Sequence, residues 1–355
     1  MNRVKLQFFL VVFSSMLMLF AALEVDGQEK KAVKGTVYRI KVHGKGLEGN
    51  LEGDSADRWV SIYLPASYRS DPKRRYPVIY FLHGYTDDDG DFYGFSKHWM
   101  NLVPVLDSVF ASGKAREMIV VTPNAYTRFQ GSMYSNSVTT GNWEDFVAKE
   151  LVFYMDNHYR TIAKVSGRGL AGHSMGGYGT LRIGQKNPDV FSAIYLLSPC
   201  CLAAGNTTQI PPSFLRADSI KTFAEFEKAD FGIKALFAYA AAWSPNPAEP
   251  PFYFDLPVKN GELQPAVLAK WSANRPLTTL DQYISNLRKL RAIAFDAGTK
   301  DQSIAASIKV LDGELNKYGI SHMFELYEGD HTNRVAERIG GKMLQFFSDN
   351  LSFDQ

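Results

Sequence analysis

Short apolar runs alternate with longer helical patterns along this chain, and this alternation is the feature that most constrains its fold. Several runs are almost continuously apolar, which is typical of strands covered on both faces. Strands that alternate with helices build a mostly parallel sheet wrapped by helices, so the sequence predicts an α/β fold. The predicted strands are residues 59–64, 78–82, 118–122, 169–173, 191–197, 292–295 and 323–327, with residues 37–42 adding an antiparallel strand at the start.

One long segment interrupts the alternation. The helical patterns elsewhere cover residues 97–111, 143–159, 176–186, 303–318 and 334–351. From about Leu202 to Leu287 the chain has no clear strand, only helical patches and an aromatic, Pro-rich stretch at residues 244–254. Such a segment is too long for a simple loop. We predict a helical cap insertion over the carboxyl ends of the strands, where open α/β sheets bind ligands. A peripheral decoration is the alternative.

The N-terminus has the three-part pattern of a secretory signal peptide. Arg3 and Lys5 precede an uncharged apolar run at residues 6–23, and small residues follow at Val25 and Gly27. This pattern predicts a signal peptide at residues 1–27 and a secreted or periplasmic protein. An uncleaved anchor helix is the alternative, but the run is near the lower length limit for a membrane span. We therefore expect no stable membrane insertion after cleavage.

Residues 28–355 are predicted to form one α/β domain that carries the insertion. Apolar residues make up 45% of the chain and charged residues 21%, which is enough to bury a large core. The net charge is +2 and no basic tract is present. This balance does not favour nucleic acid or an anionic membrane as a partner. We predict no cofactor and no metal site, and the sequence does not define an oligomeric state.

The two cysteines of the chain, Cys200 and Cys201, are adjacent. Their Cα atoms are expected about 3.8 Å apart, which is closer than an ordinary disulfide prefers. We interpret them as two buried thiols at the end of a strand. A strained vicinal disulfide in an oxidising compartment is the alternative, and in either case disulfides do not staple this fold.

A candidate nucleophile lies where a predicted strand meets a predicted helix. The segment Gly172-His173-Ser174-Met175-Gly176 fits the pattern G-x-S-x-G, and Gly177 follows it. A sharp strand-to-helix turn needs glycines because the neighbouring backbone crowds the serine. The turn exposes the hydroxyl near the positive end of a helix. We therefore predict that Ser174 is a hydrolase nucleophile, the alternative being a serine that caps a Gly-rich junction.

A serine nucleophile needs a base, and the base needs an acid that orients it. In folds with this turn the partners follow the serine in the order Asp or Glu, then His. His331 is the histidine after Ser174 that directly follows a predicted strand, whereas His322 precedes one. We predict that His331 is the general base and then the general acid.

Three carboxyl groups are candidates for the orienting acid. Asp296 ends a predicted strand, Asp301 lies beyond a Gly-containing turn at the start of a helix, and Asp330 precedes His331. Asp330 is poorly placed to bond the neighbouring imidazole. Asp301 is the preferred candidate and Asp296 the alternative, although a residue in the position of Asp301 could also serve as a helix N-cap.

An oxyanion formed at Ser174 needs two backbone N–H donors. One donor is predicted from Met175, the residue after the nucleophile. The other is predicted from Tyr85, in the loop after an early strand, where Gly84 lets the backbone approach closely. His83 precedes Ser174, which is the wrong order for a catalytic histidine here, so we interpret it as an organiser of that loop.

Six motifs between about Arg58 and Phe347 occur together in this chain. They are Tyr63-Leu64-Pro65, Tyr76-Pro77-Val78-Ile79-Tyr80-Phe81-Leu82-His83-Gly84, Asn142-Trp143-Glu144-Asp145-Phe146, the Ser174 motif, Gly298-Thr299-Lys300-Asp301 and Gly329-Asp330-His331. With these motifs the chain resembles the "putative esterase" family of α/β-hydrolases. This family includes esterase D (S-formylglutathione hydrolase), feruloyl and acetylxylan esterases, enterochelin-esterase-like enzymes and the antigen 85 mycolyltransferases.

The resemblance implies an α/β-hydrolase fold with Asp301 as the triad acid and Tyr85 as an oxyanion donor. The expected function is hydrolysis of carboxylic esters through an acyl-enzyme, with a feruloyl or acetyl ester of a carbohydrate, or another small ester, as substrate. The aromatic stretch of the insertion either stacks on a phenolic acyl group or forms a cap core. Acyl transfer by the same triad is the first alternative, and a non-catalytic binding protein on this scaffold is the second.

Overall fold

An eight-stranded sheet forms the centre of the molecule, in a computed structural model that describes residues 34–203 and 210–354. The predicted signal peptide lies outside the described residues. The strands are β1 Thr36–His43, β2 Asp57–Leu64, β3 Val78–Leu82, β4 Ile119–Pro123, β5 Arg168–His173, β6 Ala193–Leu197, β7 Ala292–Gly298 and β8 Met323–Tyr327. Their spatial order is β1-β2-β4-β3-β5-β6-β7-β8, and β2 runs antiparallel to both of its neighbours while the remaining pairs are parallel.

Both faces of the sheet are covered, which explains the continuous apolar runs. Every residue of β3, β4 and β6 is buried. Along β3 the side chains alternate between two cores, with Val78, Tyr80 and Leu82 in one and Ile79 and Phe81 in the other. A parallel sheet needs helices on both faces to achieve this burial. The structure confirms the predicted α/β-hydrolase architecture.

Helices connect the strands and supply both covering layers. The α-helices are α1 Ser67–Ser70, α2 Asp89–Phe92, α3 Leu102–Ala111, α4 Trp143–Asp145, α5 Val152–His158, α6 Met175–Lys186, α7 Pro212–Ser219, α8 Phe223–Lys228, α9 Phe231–Trp243, α10 Pro265–Ala273, α11 Ile284–Leu287, α12 Gln302–Lys317, α13 Val335–Arg338 and α14 Leu344–Asn350. The π-helical segments Phe146–Leu151 and Ile339–Met343 join α4 to α5 and α13 to α14. Among the described residues, none of the helices is long and apolar enough to span a bilayer.

Helix α3 begins later than the sequence pattern predicted. The helix was expected from residue 97, but its first residue is Leu102, because the Asn101 side chain accepts the Val103 N–H and caps the helix there. The preceding residues, among them His98 and Trp99, instead form a loop whose rings pack on Phe92. A polar N-cap residue therefore overrides an apolar pattern that continues upstream of it.

The segment between β6 and β7 is called the insertion below. It contains helices α7–α11 and a short antiparallel hairpin, whose two strands of two residues each are Val258–Lys259 and Glu262–Leu263. Phe252 and Phe254 of its aromatic stretch are buried, at 8% and 6% exposure. They pack on Phe129 and Phe237 with ring centroids 5.0 to 6.3 Å apart. The stretch therefore contributes to an aromatic core that the insertion shares with Phe129.

Candidate active site

The backbone turn at Ser174 requires glycine on both sides. Strand β5 ends at His173, helix α6 begins at Met175, and Ser174 between them has φ 56° and ψ −112°. A Cβ atom on Gly176 would lie 1.9 Å from the Leu82 carbonyl oxygen, and one on Gly172 would lie 2.4 Å from the carbonyl carbon of Gly176. No side chain fits these positions. A positive φ at a non-glycine residue costs on the order of 1–3 kcal/mol and is a common feature of functional sites.

Neighbouring strands hold this turn in place. The Ser174 N–H donates to the Leu197 carbonyl at 3.0 Å, and the Cys200 N–H donates to the Ser174 carbonyl at 3.1 Å. A Cβ atom on Gly177 would lie 2.8 Å from the Pro199 Cα atom. The turn after β6 therefore packs directly against the turn that carries Ser174, and the surroundings fix its strained backbone.

The structure brings Ser174, His331 and Asp301 together. The Nε2 atom of His331 lies 2.9 Å from Ser174 Oγ, and its Nδ1 atom lies 2.5 Å from Asp301 Oδ2. Asp301 occupies the N-cap position of α12 but makes no capping hydrogen bond with its side chain. Its carboxylate instead accepts the Nδ1–H of His331, which leaves Nε2 as the acceptor for the Ser174 hydroxyl.

Asp301 and His331 lie close together because the two loops that carry them are hydrogen-bonded to each other. After β7, the Thr299 N–H donates to the Tyr327 carbonyl at 2.8 Å and the Lys300 N–H donates to the Gly329 carbonyl at 2.9 Å. A Cβ atom on Gly298 would lie 2.3 Å from that Gly329 oxygen, so the loops touch backbone to backbone.

The other two carboxyl groups considered from the sequence are occupied elsewhere. Asp296 is fully buried, where its Oδ2 atom accepts from the Tyr195 hydroxyl at 2.7 Å and from Arg338 Nε at 2.9 Å. Burial raises the pKa of its carboxyl group although Arg338 opposes that shift. Asp330 caps the turn after it, where its Oδ1 atom accepts the Asn333 N–H at 2.8 Å. Neither carboxylate is hydrogen-bonded to His331.

His173 is a neighbour of the site whose contact the sequence did not reveal. Its Nε2–H donates to the backbone carbonyl of His331 at 2.9 Å, and the two rings lie 4.8 Å apart. The side chain is buried and its Nδ1 atom has no partner among the described residues. Burial, together with the nearby His331, lowers the pKa of His173 to about 3. His173 is therefore a neutral donor.

Tyr85 and Met175 lie on the cavity wall next to Ser174. Their side chains converge, because a Cβ atom on Gly131 would lie 2.7 Å from both Met175 Sδ and Tyr85 Cδ2. Across residues 34–203 and 210–354, neither the Tyr85 N–H nor the Met175 N–H has a hydrogen-bond acceptor. Both backbone donors are therefore free to bind an oxygen atom of a ligand.

His83 links the loop after β3 to the loop after β4. The Ala125 N–H donates to its Nε2 atom at 2.8 Å, and its Nδ1–H donates to the Gly84 carbonyl at 2.8 Å. Burial lowers the pKa of the ring, so His83 remains a neutral bridge. This geometry matches the organising role inferred from the sequence.

A mostly apolar cavity of about 250 Å³ opens onto Ser174 and His331. Helix α9 of the insertion lines it with Phe231, Ala235 and Tyr239, which share one helix face because they are four residues apart. This spacing is readable from the sequence, whereas the aromatic stretch at residues 244–254 was the segment expected to contact an acyl group. The remaining lining residues outside the Ser-His-Asp group are Tyr85, Met133, Met175, Cys200 and Ile304.

A larger cavity, of about 570 Å³, lies within the insertion and contains no member of the Ser-His-Asp group. Phe252 and Phe254 line this larger cavity instead of the one at Ser174. The expectation that they stack on an acyl group bound at Ser174 is therefore not met. We place the candidate active site at the smaller cavity because the reactive side chains converge there.

Within the described part of the chain, one group of side chains has the spacing of a metal site. One ligand atom each from Asp87, Asp91 and His98 lies within 4.8 Å of the others. These atoms already have protein partners, since Asp87 Oδ1 is 3.2 Å from His98 Nε2 and Asp91 Oδ2 accepts the Asp88 N–H at 3.0 Å. We therefore interpret the three side chains as hydrogen-bonding groups that hold the loop around α2.

The strand order, with a tight serine turn after the fifth strand, defines an α/β-hydrolase. Residues 55–335 match the Esterase family model, which is described as "Putative esterase". The chain therefore belongs to this family. This match covers most of the chain and includes Tyr85, Ser174, Asp301 and His331.

Curated relatives match over a shorter region. Esterase Rv1288 of Mycobacterium tuberculosis is 34% identical over 128 residues, which are 36% of this chain and 26% of the relative. An endo-1,4-beta-xylanase/feruloyl esterase of Xylanibacter ruminicola is 30% identical over 141 residues, which are 39% of this chain and 19% of the relative. The aligned region thus spans about a quarter or less of the length of these relatives.

Solved structures are similar over nearly the whole chain. A ferulic acid esterase superposes with a TM-score of 0.61 at 22% identity, covering 90% of this chain and 100% of the other. The S-formylglutathione hydrolase FrmB of Staphylococcus aureus gives 0.56 at 15% identity, with 90% and 99% covered. The ferulic acid esterase AmCE1/Fae1A of Anaeromyces mucronatus, in complex with ferulic acid, gives 0.53 at 16% identity, with 89% and 91% covered. At these identities the similarity establishes the fold.

Proposed function

We propose that this protein is a secreted serine carboxylesterase that hydrolyses carboxylic esters through an acyl-enzyme at Ser174. The observation that carries the proposal is the continuous hydrogen-bond chain from Asp301 through His331 to the Ser174 hydroxyl, which ends in an apolar cavity. A hydroxyl is a weak nucleophile at neutral pH, and an adjacent base held by a carboxylate is the arrangement that activates it.

In the acylation half-reaction, Ser174 Oγ attacks the ester carbonyl carbon while His331 Nε2 takes the hydroxyl proton. The Asp301 carboxylate keeps the second ring proton on Nδ1 and stabilises the imidazolium that forms. The His331 imidazolium then donates its Nε2 proton to the departing alcohol oxygen. The products of this half-reaction are the free alcohol and an ester between the acyl group and Ser174.

The carbonyl oxygen becomes negatively charged during the attack and needs donors that are already oriented. We assign this role to the N–H groups of Tyr85 and Met175, because both residues line the cavity and neither N–H group has a protein acceptor among the described residues. One donor of this kind contributes about 2.7–4 kcal/mol of transition-state stabilisation.

Deacylation repeats the same steps with water in place of the alcohol. His331 Nε2 removes a proton from a water molecule, which attacks the acyl carbon, and the imidazolium returns that proton to Ser174 Oγ. The products are a carboxylic acid and the restored serine. An acyltransferase would replace the water by an acceptor alcohol at this step without using a different side chain.

We assign the binding of the acyl group to this cavity. Its volume of about 250 Å³ is below the range of about 300–1,000 Å³ that holds whole drug-sized ligands, so it suits an acyl group better than a complete substrate. The Phe231 ring packs edge-on against Tyr85 with centroids 5.5 Å apart, and Phe231 is 66% exposed at the cavity rim. An aromatic acyl group would extend this pair.

We therefore propose feruloyl or acetyl esters of carbohydrates as the substrate class. The names of the curated feruloyl esterase and of the ferulic acid esterase structures support this choice. We assign residues 202–287 the role of a cap, since α9 supplies one cavity wall. The signal-like residues 1–27 support secretion, which would give the enzyme access to such polymers.

An ester panel tests the proposal. Purified protein is assayed on acetyl, feruloyl and longer acyl esters, with and without a sugar or glycerol acceptor, and the products are separated. We expect hydrolysis of acetyl or feruloyl esters and no acylated acceptor. Predominant formation of acylated acceptor would replace the proposal by acyl transfer. No turnover with any ester, together with no labelling by a fluorophosphonate probe, would indicate a non-catalytic binding protein.

A matched pair of variants tests the location of the acyl group. Phe231→Ala should raise KM for feruloyl esters by about tenfold while changing KM for acetyl esters little, because only the larger acyl group reaches the rim. Phe153→Ala is the control, since Phe153 is equally an exposed phenylalanine, at 72%, and does not line the cavity. Equal effects of Phe231→Ala on both esters would place the acyl group elsewhere.

A further inference from the structure

The Sγ atoms of Cys200 and Cys201 lie closer together than those of two independent thiols would, and both residues are half-buried, whereas the sequence predicted two buried thiols. Both are free cysteines, yet their Sγ atoms are 2.7 Å apart, so the turn after β6 directs both side chains to the same side. Within this turn Ser198 and Cys201 have φ values of 41° and 62°, a conformation that costs non-glycine residues energy. In this backbone conformation the short Cα separation does not keep the two sulfur atoms apart.

The surroundings of Cys201 favour its thiolate. The Cys201 thiol lies 2.7 Å from Cys200 Sγ and donates to the Tyr239 hydroxyl oxygen at 3.2 Å. When Cys201 loses its proton, the Cys200 thiol and the Tyr239 hydroxyl become the donors. The interaction with Cys200, and then that with Tyr239, therefore lowers the pKa of Cys201, and the interaction with Cys201 raises the pKa of Cys200. Arg275 adds a positive charge nearby and is held by its bond to the Ala203 carbonyl at 2.9 Å. Cys201 is thus the more nucleophilic of the two.

The pair is also connected to the candidate active site. Cys200 lines the cavity together with Ser174 and Tyr239. Its N–H donates to the Ser174 carbonyl at 3.1 Å. A movement of the Cys200 side chain therefore changes the cavity wall, and loss of the Cys201 thiol changes the hydrogen bonding of Tyr239 on the same wall.

We propose that Cys200 and Cys201 form a reversible dithiol–disulfide couple, in which a vicinal disulfide closes within the folded protein and reshapes the cavity beside Ser174. Closure requires the sulfur atoms to approach by less than about 1 Å. This modification site goes beyond the proposed esterase activity, and its chemistry does not depend on that activity.

A small-molecule disulfide is the oxidant in the proposed reaction. The Cys201 thiolate attacks one sulfur of the oxidant, forms a mixed disulfide and releases the first thiolate. The Cys200 thiolate then attacks the Cys201 sulfur and releases the second. The two protons from the cysteines end on the two released thiolates, the cysteines are oxidised by two electrons, and the oxidant is reduced to two thiols.

Intact mass and thiol titration test the closure. Reduced full-length protein is incubated with oxidised glutathione, quenched in acid, alkylated and weighed. We expect the wild type to lose both alkylatable thiols and to carry no glutathione. Cys200→Ser and Cys201→Ser should each keep one thiol or carry one glutathione. Retention of two thiols in the wild type, or a stable glutathione adduct on it, would overturn the proposal.

Ester kinetics test the connection to the cavity. The oxidised wild type should show a KM for feruloyl ester changed at least threefold from its reduced form, with a smaller change for acetyl ester, and dithiothreitol should reverse the shift. The control is the double variant Cys200→Ser/Cys201→Ser, because it has no thiol for the oxidant to modify and oxidant should not change its KM. Complete closure by mass with unchanged KM for both esters would contradict the effect on the cavity. Absence of turnover in all samples would refute the esterase proposal and leave the mass result intact.

Discussion

The Nε2–H of His173 donates to the backbone carbonyl of His331 at 2.9 Å, so the residue before the nucleophile holds the loop that carries the proposed base. The carbonyl only accepts, which fixes the proton of His173 on Nε2. A charged His173 would also disfavour an imidazolium at His331, whose ring lies 4.8 Å away. The bond therefore positions His331 without adding a charge beside it.

Removing this bond should slow turnover more than it weakens substrate binding. We expect His173→Leu to lower kcat by about 100-fold with little change in KM, because a misplacement of about 1 Å at a reacting group costs this much. His173→Gln, which keeps an N–H donor at a similar reach, should recover most of the rate. The measurement is steady-state kinetics on a soluble ester. Equal losses in the Leu and Gln variants would show that the hydrogen bond is not what positions His331.

The buried, neutral His173 should also make the protein sensitive to acid. Its pKa is about 3 in the folded protein and about 6.5 in an unfolded chain. Between these two pH values the unfolded chain is protonated at His173 and the folded protein is not. This contribution to stability is complete above about pH 6.5 and is lost as the pH falls toward 3. When the pH falls from about 7.5 to 4.5, the free energy of unfolding in urea should drop by about 2–3 kcal/mol more in the wild type than in His173→Gln. Ser174→Ala keeps His173, so its free energy of unfolding should drop as much as that of the wild type. If the drop in His173→Gln equals that of the wild type, His173 titrates normally.

Asp301 and Asp296 should respond to the same substitution in different ways. Asp301→Asn should lower kcat by about 10⁴-fold while the fold survives, because the amide no longer holds the Nδ1 proton of His331. Asp296→Asn should leave the kcat of folded protein within about tenfold of the wild type, since Asp296 bonds Arg338 and Tyr195 and not His331. The reverse ranking in kcat would transfer the orienting role to Asp296.

Gly176, the second residue of helix α6, should tolerate no side chain. Gly176→Ala places a Cβ atom 1.9 Å from the Leu82 carbonyl oxygen, whereas Gly313→Ala, in α12, meets no atom within 4 Å. Thermal unfolding should show Gly176→Ala destabilised by at least about 3 kcal/mol or unfolded. Gly313→Ala should be stabilised by about 0.4–1 kcal/mol. A stable, active Gly176→Ala protein would show that the turn can relax.

Continuous apolar patterns predicted the strands well because burial on both faces leaves an unambiguous signal. Strands β3 and β8 have the predicted bounds, and β5 begins one residue earlier. Helix ends were less accurate where a side chain makes the cap, as Asn101 does for α3. The Ser174 turn was readable because its glycines are required by local backbone contacts.

Contacts between distant segments could not be read in the same way. Nothing local distinguishes the carboxyl of Asp301 from that of Asp296 until the loops after β7 and β8 are joined by the bonds of Thr299 and Lys300. The bond from His173 to His331 spans 158 positions of sequence. The cavity wall from α9 depends on how the insertion packs, and its four-residue spacing indicates a shared helix face without indicating what that face covers.

The central claim, that Ser174 is the nucleophile, is tested most directly by locating a covalent adduct. Wild-type protein and Ser174→Ala are treated with a fluorophosphonate, digested and mapped by mass spectrometry, and ester turnover is measured in parallel. We expect one phosphonate on the peptide that contains Ser174, none on the variant, and a loss of kcat of about 10⁶-fold in the variant. An adduct at another residue, or wild-type turnover by purified Ser174→Ala, would contradict the account.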